Sequence, residues 1–442
     1  MKLGNQTFKG GVHIPEYKEF TKDKGIEAAR EPKTVYIPLH QHVGAPCDPV
    51  VKAGDKVKVG QMIGDSKAFV SAPVHSSVSG VVKSITSMYT SAGVKTNCVV
   101  IESDGLNEVH ESVKPKADLK DLSKDEIQNI IRDAGIVGMG GAAFPNHAKL
   151  SSSGDGTVDT AILNGAECEP YLTCDHRIML EKPESVIYGL KVIMKYLGIE
   201  NGYVGVEDNK MDAVNTLNSA LKDSDKIKVV ALKTKFPQGD SYRMVNAVTG
   251  RIVPKGGRCK DAASLVTNVG TASAIADAIL EGKPLYERVI TVTGNGIKEP
   301  KNLLVKVGTT IGEVIEQCGG FKGKPGKVII GGPMTGIAQF TLDVPVTKAT
   351  CGILVLTEEE SNVQKISPCI KCGKCIEVCP VRLQPLYISA YTLKDKFEEA
   401  EKLNALECIA CGACSYVCPS KRPLTEFVGH AKKQITAKRK KS

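Results

Sequence analysis

The sequence predicts a chain of several domains that combines α/β and α+β folds. With 442 residues it is too long for one ordinary hydrophobic core. Strand and helix patterns alternate between residues 160 and 233, which is typical of an α/β domain with a mostly parallel sheet. Eight of the 15 cysteines are concentrated in two short runs near the end, which indicates a separate metal-binding domain.

Composition and charge exclude several classes of protein. No apolar run approaches the ~20 residues needed to cross a bilayer, and the first residues lack the apolar segment of a signal peptide. We therefore expect a reducing compartment, where cysteines bind metals more often than they form disulfides. The net charge is +9, and the basic tail 431–442 is expected to be solvated or to meet an acidic partner or an anionic membrane face. Without Trp or a basic stripe with interleaved aromatics, nucleic acid is not an expected partner.

Residues 35–104 follow an N-terminal extension, residues 1–34, and consist of short strand patterns broken by Gly and Pro. The segment "PVHSSVSGVVKSI" resembles the half-motif of a biotinyl/lipoyl-type barrel-sandwich hybrid domain. Such a domain normally displays a modified lysine on a hairpin tip, and this segment has no corresponding tip. A docking role is therefore the expectation for residues 35–104.

A glycine-rich loop, "GIVGMGGAAFPNHAK", follows the predicted helix "SKDEIQNIIRDA", which has Ser123 as its N-cap. Gly138, Gly140 and Gly141 allow the backbone to approach a phosphate, and Lys149 could add a positive charge. No strand precedes the loop, so it is not the dinucleotide fingerprint. A tight turn between packed elements is the alternative interpretation.

The following block predicts the edge of a parallel sheet. "TAILN" is a strand pattern that ends at Asn164, and Glu167 and Glu169 lie just beyond it. Helices are predicted at 184–196 and 209–222, with "YVGVED" and "KVVALK" as further strands. Ligands bind beyond the carboxyl ends of such strands, so we expect the glycine loop to meet residues 164–169 there. The two glutamates could equally be surface carboxylates beside a loop.

Each cysteine run has the spacing C-x2-C-x2-C-x3-C followed by Pro. In two-cluster ferredoxins the first three cysteines of a run hold one cluster and the fourth ligates the other cluster. Structural zinc is the alternative, but zinc sites commonly use paired C-x2-C knuckles. The segment 383–406 between the runs is predicted to be helical. The predicted ligand sets for two [4Fe–4S] clusters are Cys369, Cys372, Cys375 and Cys418 for one, and Cys408, Cys411, Cys414 and Cys379 for the other.

Taken together, "GIVGMGGAAFPNHAK", "LNGAECEPYLTCDHRIMLE", "FKGGVHIPEYKEFT", "FPQGDSYRMVNAVTGR" and the double cysteine run resemble the RnfC family, the C subunits of Rnf complexes. These complexes are ferredoxin:NAD oxidoreductases, and their C subunits are related to the NADH-binding flavoprotein subunit of complex I. The resemblance covers nearly the whole chain. It implies a Rossmann-like FMN- and NADH-binding domain over 118–278, a soluble-ligand-binding β-grasp domain over 284–355 and a helical two-cluster [4Fe–4S] domain over 360–430.

The resemblance also implies the residues of a flavin site. It places the phosphate of a non-covalently bound FMN near Gly138, Gly140, Gly141 and Lys149, and its isoalloxazine and ribityl groups by Asn164 and Glu167. Phe144 occupies the position at which the flavoprotein family stacks an aromatic ring on the nicotinamide nucleotide, and Glu167 and Glu169 are the candidate catalytic residues. The matching segments add Gly239, Asp240, Thr267 and Asn268 to the cofactor-binding set.

The implied function is that of a peripheral electron-transfer subunit on the cytoplasmic side of the cell membrane. It would exchange hydride between NAD(H) and FMN, and single electrons through its clusters with other subunits of an ion-translocating complex, including a multi-cluster ferredoxin-like subunit. The alternatives are a cobalamin reductase of the propanediol-utilisation type and a non-catalytic iron–sulfur electron-wire or scaffold subunit. A zinc-bearing adaptor is a further alternative.

Overall fold

The computed structural model describes residues 4–441, and the side chains of residues 4–439. Residues 1–3 of the predicted extension and residue 442 of the predicted tail lie outside that range. Within it, the chain forms four packed units in sequence order: a small β unit, a parallel α/β unit, a six-stranded mixed sheet with one helix, and a helical C-terminal unit. Short 3-10 helices in the connections are Lys18–Phe20, Leu119–Asp121, Asp208–Lys210, Cys259–Ala262 and Ala405–Glu407.

The segment predicted as an N-terminal extension is a packed part of later domains. The ring of Tyr17 stacks on Tyr171 of the α/β unit at a centroid distance of 4.7 Å. Strand β1 (Ile26–Ala28) pairs in parallel with residues 302–304 and so joins the six-stranded sheet. No sequence pattern predicts this pairing, because a three-residue edge strand has too few residues to show one.

The small β unit consists of a four-stranded and a three-stranded antiparallel sheet. Its core contains Val35 and Ile37 from one strand and Val99 and Ile101 from another, as the two-residue period of a half-buried strand requires. Its strands are β2 (Thr34–Pro38), β3 (Asp48–Pro49), β4 (Lys56–Val57), β5 (Met62–Asp65), β6 (Val74–His75), β7 (Gly80–Tyr89) and β8 (Lys95–Ser103).

The α/β unit has a fully parallel four-stranded sheet with helices on both faces. Its strands are β9 (Thr160–Gly165), β10 (Asn201–Glu207), β11 (Ile227–Leu232) and β12 (Ser264–Asn268). Its helices are α1 (Lys124–Asp133), α2 (Asn146–Ser153), α3 (Cys174–Glu181), α4 (Pro183–Leu197), α5 (Met211–Ser219), α6 (Ser241–Thr249) and α7 (Val269–Leu280). The strand order is β11-β10-β9-β12, and α6 covers the face opposite α4 and α7. The predicted strands and helices of this unit are confirmed.

The six-stranded unit has the order β1-β14-β13-β17-β15-β16. Helix α8 begins after Thr310, whose side chain accepts a hydrogen bond from the N–H of Glu313, and it ends before Gly319 and Gly320. The loop 331–336, between β15 and β16, leaves this sheet toward the α/β unit. The elements are β13 (Glu287–Thr293), β14 (Lys301–Lys306), α8 (Ile311–Gln317), β15 (Pro325–Ile330), β16 (Ile337–Ala338) and β17 (Gly352–Thr357).

The C-terminal unit corrects the prediction of a helical segment over 383–406. Two helices replace the single predicted segment. Pro385 fixes the start of the first helix, and the left-handed φ of 51° at Asp395 prevents that helix from continuing. The helices of this unit are α9 (Lys374–Glu377), α10 (Pro385–Thr392), α11 (Phe397–Lys402), α12 (Ala413–Tyr416) and α13 (Leu424–Lys441).

Residues 431–441 of the predicted basic tail form the second half of helix α13. Val428, Ala431 and Ile435 are buried and lie three and four residues apart, which puts them on one face of that helix. Residues 431–435 are therefore packed, and the helix passes through the predicted boundary at 430/431. Among residues 4–441, no helix combines the length and the apolar composition that a membrane span needs.

Close packing of α4 on α7 supports the α/β sheet and provides a test of the fold. A Cβ at Gly189 would lie 1.9 Å from the carbonyl oxygen of Ala272, so we expect Gly189→Ala to destabilise this unit by about 2 kcal/mol or more. Gly429→Ala is the matched control, because it also lies in a helix but its Cβ would meet nothing within 4 Å. The control should stabilise the chain by about 0.5–1 kcal/mol. Thermal unfolding followed by circular dichroism measures both, and equal effects would contradict the packing.

Candidate functional site

The candidate site lies at the carboxyl edge of the parallel sheet. The strand order changes direction between β9 and β12, and ligands of parallel sheets bind beyond such a switch point. Asn164 is the last but one residue of β9, Asn268 is the last residue of β12, and the two are partners in the strand register. A cavity of about 580 Å³ opens here, and both asparagines line it. The predicted meeting of the glycine loop with residues 164–169 is confirmed, since Gly140, Gly141 and Glu167 line the same cavity.

Three helices begin at this cavity, and each is capped by a side chain that lines it. The N-terminus of a helix carries partial positive charge and N–H groups without a partner in the helix, and here the capping side chains satisfy those groups. The side chain of Glu167 caps α3 and accepts from the N–H groups of Asp175 (2.7 Å) and His176 (3.2 Å). The side chain of Asp240 caps α6 and accepts from the N–H groups of Tyr242 and Arg243 (3.1 Å each). The side chain of Asn268 caps α7 and accepts from the N–H groups of Gly270 (2.8 Å) and Thr271 (3.3 Å).

The glycine loop is both a tight turn and a wall of the cavity. The N–H of Gly138 donates to the carbonyl of Phe144 at 2.9 Å, which closes the turn. A Cβ at Gly140 would lie 3.0 Å from the side-chain amide of Asn268, so a larger residue would crowd the cap of α7. The Phe144 ring is exposed and does not line the cavity.

Gly138, Lys149 and Thr267 do not line the cavity, which differs from their expected places at the phosphate and flavin. The ammonium of Lys149 donates to the carbonyl of Val266, and burial lowers the pKa of Lys149. Helix α2 carries Lys149 against strand β12 and not toward the open edge of the sheet. The hydroxyl of Thr267 is buried within β12 without a hydrogen-bond partner in the described part of the chain.

Glu169 connects the α/β unit to the loop 331–336. Its carboxylate accepts from the N–H of Met334 at 3.1 Å and from the hydroxyl of Thr335. Burial raises the pKa of Glu169, and these hydrogen bonds oppose that effect. Gly332 allows the close approach, because a Cβ there would lie 2.3 Å from a carboxylate oxygen of Glu169.

Asp175 is a cavity residue that the sequence analysis missed. The side-chain amide of Asn268 donates to its carboxylate at 2.7 Å. Burial, and then the charge of Glu167, raise the pKa of Asp175 to about 6. The available signal was an acidic residue in the first turn of α3, but most such residues only complement the helix dipole.

The cysteine loops associate crosswise. Cys418 of the second run lines one small cavity together with Cys369, Cys372 and Cys375 of the first run. Burial, and then neighbouring cysteines that include Cys379 of the first run, raise the pKa of Cys408, Cys411 and Cys414. The structure thus brings together the two predicted ligand sets, which we call the first set (Cys369, Cys372, Cys375 and Cys418) and the second set (Cys408, Cys411, Cys414 and Cys379).

The two loops also share one backbone conformation, which suits a cluster in each. Gly373 and Gly412 have φ values of 78° and 80°, and each precedes a four-residue helix. The N–H two residues after the first cysteine of each loop donates to that sulfur at 3.4 Å, from Lys371 to Cys369 and from Ala410 to Cys408. All-thiol donor sets, inward N–H groups and crosswise sharing fit [4Fe–4S] clusters.

The second set adjoins the cavity at the carboxyl edge of the sheet, whereas the first set reaches the surface. Cys411 of the second set lines that cavity together with Asn164 and Asn268. A Cβ at Gly412 would lie 3.0 Å from the carbonyl of Met334, so the loop 331–336 touches this cysteine loop as well as Glu169. Cys369 and Cys372 of the first set are exposed.

Comparison with known proteins identifies the family. Over 441 residues the chain is 48% identical to the C subunit of the Na⁺-translocating ferredoxin:NAD⁺ oxidoreductase complex of Acetobacterium woodii, with 100% of both chains covered. It is 49% identical over 433 residues to the C subunit of the proton-translocating ferredoxin:NAD⁺ oxidoreductase complex of Clostridium ljungdahlii, covering 98% of this chain and 94% of that one. The chain belongs to the RnfC family.

A more distant RnfC relative is the C subunit of the ion-translocating oxidoreductase complex of Rhodobacter capsulatus, 38% identical over 439 residues and covering 98% of this chain and 84% of that one. An NAD⁺-reducing [NiFe]-hydrogenase structure aligns with a TM-score of 0.50 at 16% identity, over 71% of this chain and 61% of the hydrogenase chain, and that similarity shows the fold alone.

The predicted fold class is confirmed domain by domain in this RnfC chain. Matching family models are the RnfC barrel sandwich hybrid domain (6–106), the Nuo51 FMN-binding domain (131–277), the SLBB domain (289–338), which corresponds to the predicted β-grasp domain, and the 4Fe-4S dicluster domain (361–419).

Asp175 provides a pH-dependent test of the cavity. Its folded pKa of about 6 lies above the ordinary value of 3.8, so the stability that its protonated form provides is present below pH 3.8 and is lost as the pH rises through about 6. Asp175→Asn should therefore raise the free energy of unfolding by about 2–3 kcal/mol at pH 7.5 and change it little near pH 4. Urea unfolding of the cofactor-free chain measures this, with Asp23→Asn at an exposed position as the control. The same gain at both pH values would contradict the assignment.

Proposed function

We propose that this chain exchanges electrons between NAD(H) and partner subunits of a membrane-bound, ion-translocating ferredoxin:NAD oxidoreductase complex. One observation carries the proposal: a single cavity has the walls of an FMN-binding domain on one side and Cys411 of a cysteine loop on the other. The names of the full-length relatives support the choice of complex.

The cavity suits FMN in size and in chemistry. Its volume of about 580 Å³ is in the range of cofactor sites. The proposed FMN-binding residues are Gly140, Gly141, Asn164, Gly239, Asp240 and Asn268, and the two glycines let the backbone approach the phosphate closely. When bound, FMN supplies the conversion between two-electron hydride transfer and one-electron transfer.

Glu167 and Glu169 have different proposed roles in the reaction with NAD(H). Glu167 orients α3, because both of its hydrogen bonds go to the first N–H groups of that helix. Glu169 is half-buried and burial raises its pKa, so its carboxyl group could hold a proton beside the cavity. Phe144 remains the proposed stacking residue for the nucleotide, on the turn that also carries Gly140 and Gly141.

The cysteine sets would hold two [4Fe–4S] clusters, which supply one-electron transfer when bound. The second set would receive electrons at the cavity, because Cys411 forms part of its wall. The first set would exchange them with a partner, because Cys369 and Cys372 are exposed. We propose that this partner is a multi-cluster ferredoxin-like subunit and that the chain is held peripherally, on the cytoplasmic side of the membrane, through the complex. Ion translocation would take place in other subunits.

The first test is flavin reduction. Anaerobic NADH should bleach the flavin absorbance of the chain loaded with FMN and reconstituted with iron and sulfide. Gly140→Val should weaken FMN binding about tenfold or more, since the added methyl groups would collide with Asn268. Ala142→Val is the control on the same turn, because Ala142 is exposed and does not line the cavity. Wild-type protein that holds FMN but shows no NADH-dependent bleaching would favour the electron-wire alternative.

The second test concerns crosswise ligation. The reconstituted chain should contain about eight iron atoms, four in each cluster. Cys375→Ser/Cys418→Ser affects only the first set, so about half of the iron should remain. Cys375→Ser/Cys379→Ser affects both sets, so both clusters should be lost. The reverse order of iron contents would contradict crosswise ligation, and a colourless protein with zinc in place of iron would support the adaptor alternative.

A further inference from the structure

The residues 10–18, which we call the N-terminal arm, run from the second cysteine set to the flavin cavity. At the cysteine end, the N–H of Gly11 donates to the carbonyl of Val378 at 2.7 Å, next to Cys379. Gly10 and Gly11 have left-handed φ values of 78° and 79°. A Cβ on Gly10 would lie 2.8 Å from the carbonyl oxygen of Cys379, and one on Gly11 would lie 2.7 Å from that of Phe236. Only glycine fits at either position.

The middle of the arm pairs with a wall of the cavity. Val12 and Phe236 exchange two backbone hydrogen bonds, of 2.8 and 2.9 Å, and Phe236 lines the cavity. The buried side chains of Val12 and Phe236 pack together with Ala413 of the second cysteine loop. The arm therefore contacts the cavity and both cysteine runs within three consecutive residues, from Gly10 to Val12.

The far end of the arm holds the loop that carries the two glutamates. The ammonium of Lys18 donates to the carbonyls of Glu167 (2.9 Å), Glu169 (3.1 Å) and Leu172 (2.6 Å), and Lys18 is only 6% exposed. Glu167 and Tyr171 in this loop have left-handed φ values of 47° and 70°, which are uncommon for residues other than glycine. Such a conformation persists only when its surroundings impose it, and three hydrogen bonds from one buried ammonium do so here.

We propose that the N-terminal arm is a brace that fixes the second [4Fe–4S] site relative to the flavin cavity, with Gly10, Gly11 and Lys18 as positioning residues. The inference rests on the proposed function, since it requires both cofactors to bind. The glycine pair sets how closely the Cys379 segment approaches Phe236. Lys18 sets the position of the glutamate loop.

The test uses the full chain with FMN and clusters, and compares Gly11→Ala and Lys18→Met with two matched controls. Gly198→Ala places alanine at a left-handed φ of 68° with nothing within 4 Å of the Cβ. Lys195→Met removes an ammonium that donates to the carbonyls of Leu119 and Lys120, which do not line the cavity. Each NADH oxidised to NAD⁺ and a proton delivers two electrons, one to each cluster. Flavin bleaching and cluster reduction are therefore recorded separately, together with amide hydrogen exchange of residues 166–173 and 376–382.

Gly11→Ala should slow cluster reduction about tenfold or more and slow flavin bleaching less, because a small displacement of positioned groups has a large effect on rate. Lys18→Met should weaken FMN binding and accelerate hydrogen exchange in 166–173, and Lys18→Arg should restore part of both, since guanidinium also donates to carbonyls. If Gly11→Ala does not accumulate as folded protein, the comparison of Lys18→Met with Lys18→Arg tests the brace.

Cluster reduction and hydrogen exchange equal to those of the controls would overturn the brace, while wild-type bleaching and iron content would still support the proposed function. Wild-type protein without bleaching or without iron would overturn the proposed function and the brace with it.

Discussion

The wall shared by the flavin cavity and the second cysteine set is the constraint on which the other features depend. Cys411 belongs to the predicted cluster and also lines the cavity. Met334 of the loop 331–336 lies between them, with its N–H on Glu169 and its carbonyl against Gly412. Three domains must therefore meet within a few residues, and the glycines at 332 and 412 provide the space.

Buried lysines connect segments of the chain that no helix or strand joins. Lys348 of the β-grasp domain donates to the carbonyls of Pro73 (2.6 Å) in the barrel-sandwich domain and Gly135 (2.8 Å) in the FMN-binding domain. Burial lowers the pKa of Lys348 to about 7. Lys18 holds the glutamate loop in the same way. A buried ammonium is costly unless its donors are satisfied, so each fixes a specific arrangement of carbonyls.

Local patterns predicted those parts of the site that are local in sequence. The cysteine spacing predicted the crosswise ligand sets, and the strand ending at Asn164 predicted the position of the cavity. The roles of Asp175 and Lys18 depend on partners far away in the chain. Asp175 lies 93 residues from Asn268, and Lys18 lies 149 residues from Glu167. The periodicity of a sequence does not indicate such long-range contacts. The position of Lys149 after a glycine loop predicted a contact with the phosphate. The packing of α2 instead directs its side chain toward the carbonyl of Val266. The prediction of a helical segment over 383–406 was wrong because the helical spacing of apolar residues continues across Asp395. The left-handed φ of Asp395 ends the first helix there.

The shared wall is tested most directly by a cryo-EM or crystallographic map of the reconstituted chain with FMN, with iron located by its anomalous signal where crystals allow. We expect one four-iron centre enclosed by Cys408, Cys411, Cys414 and Cys379 at the wall of an FMN-filled cavity, and a second centre at the surface. Single metal ions at these cysteines, or a flavin bound away from the cavity next to Cys411, would contradict this expectation.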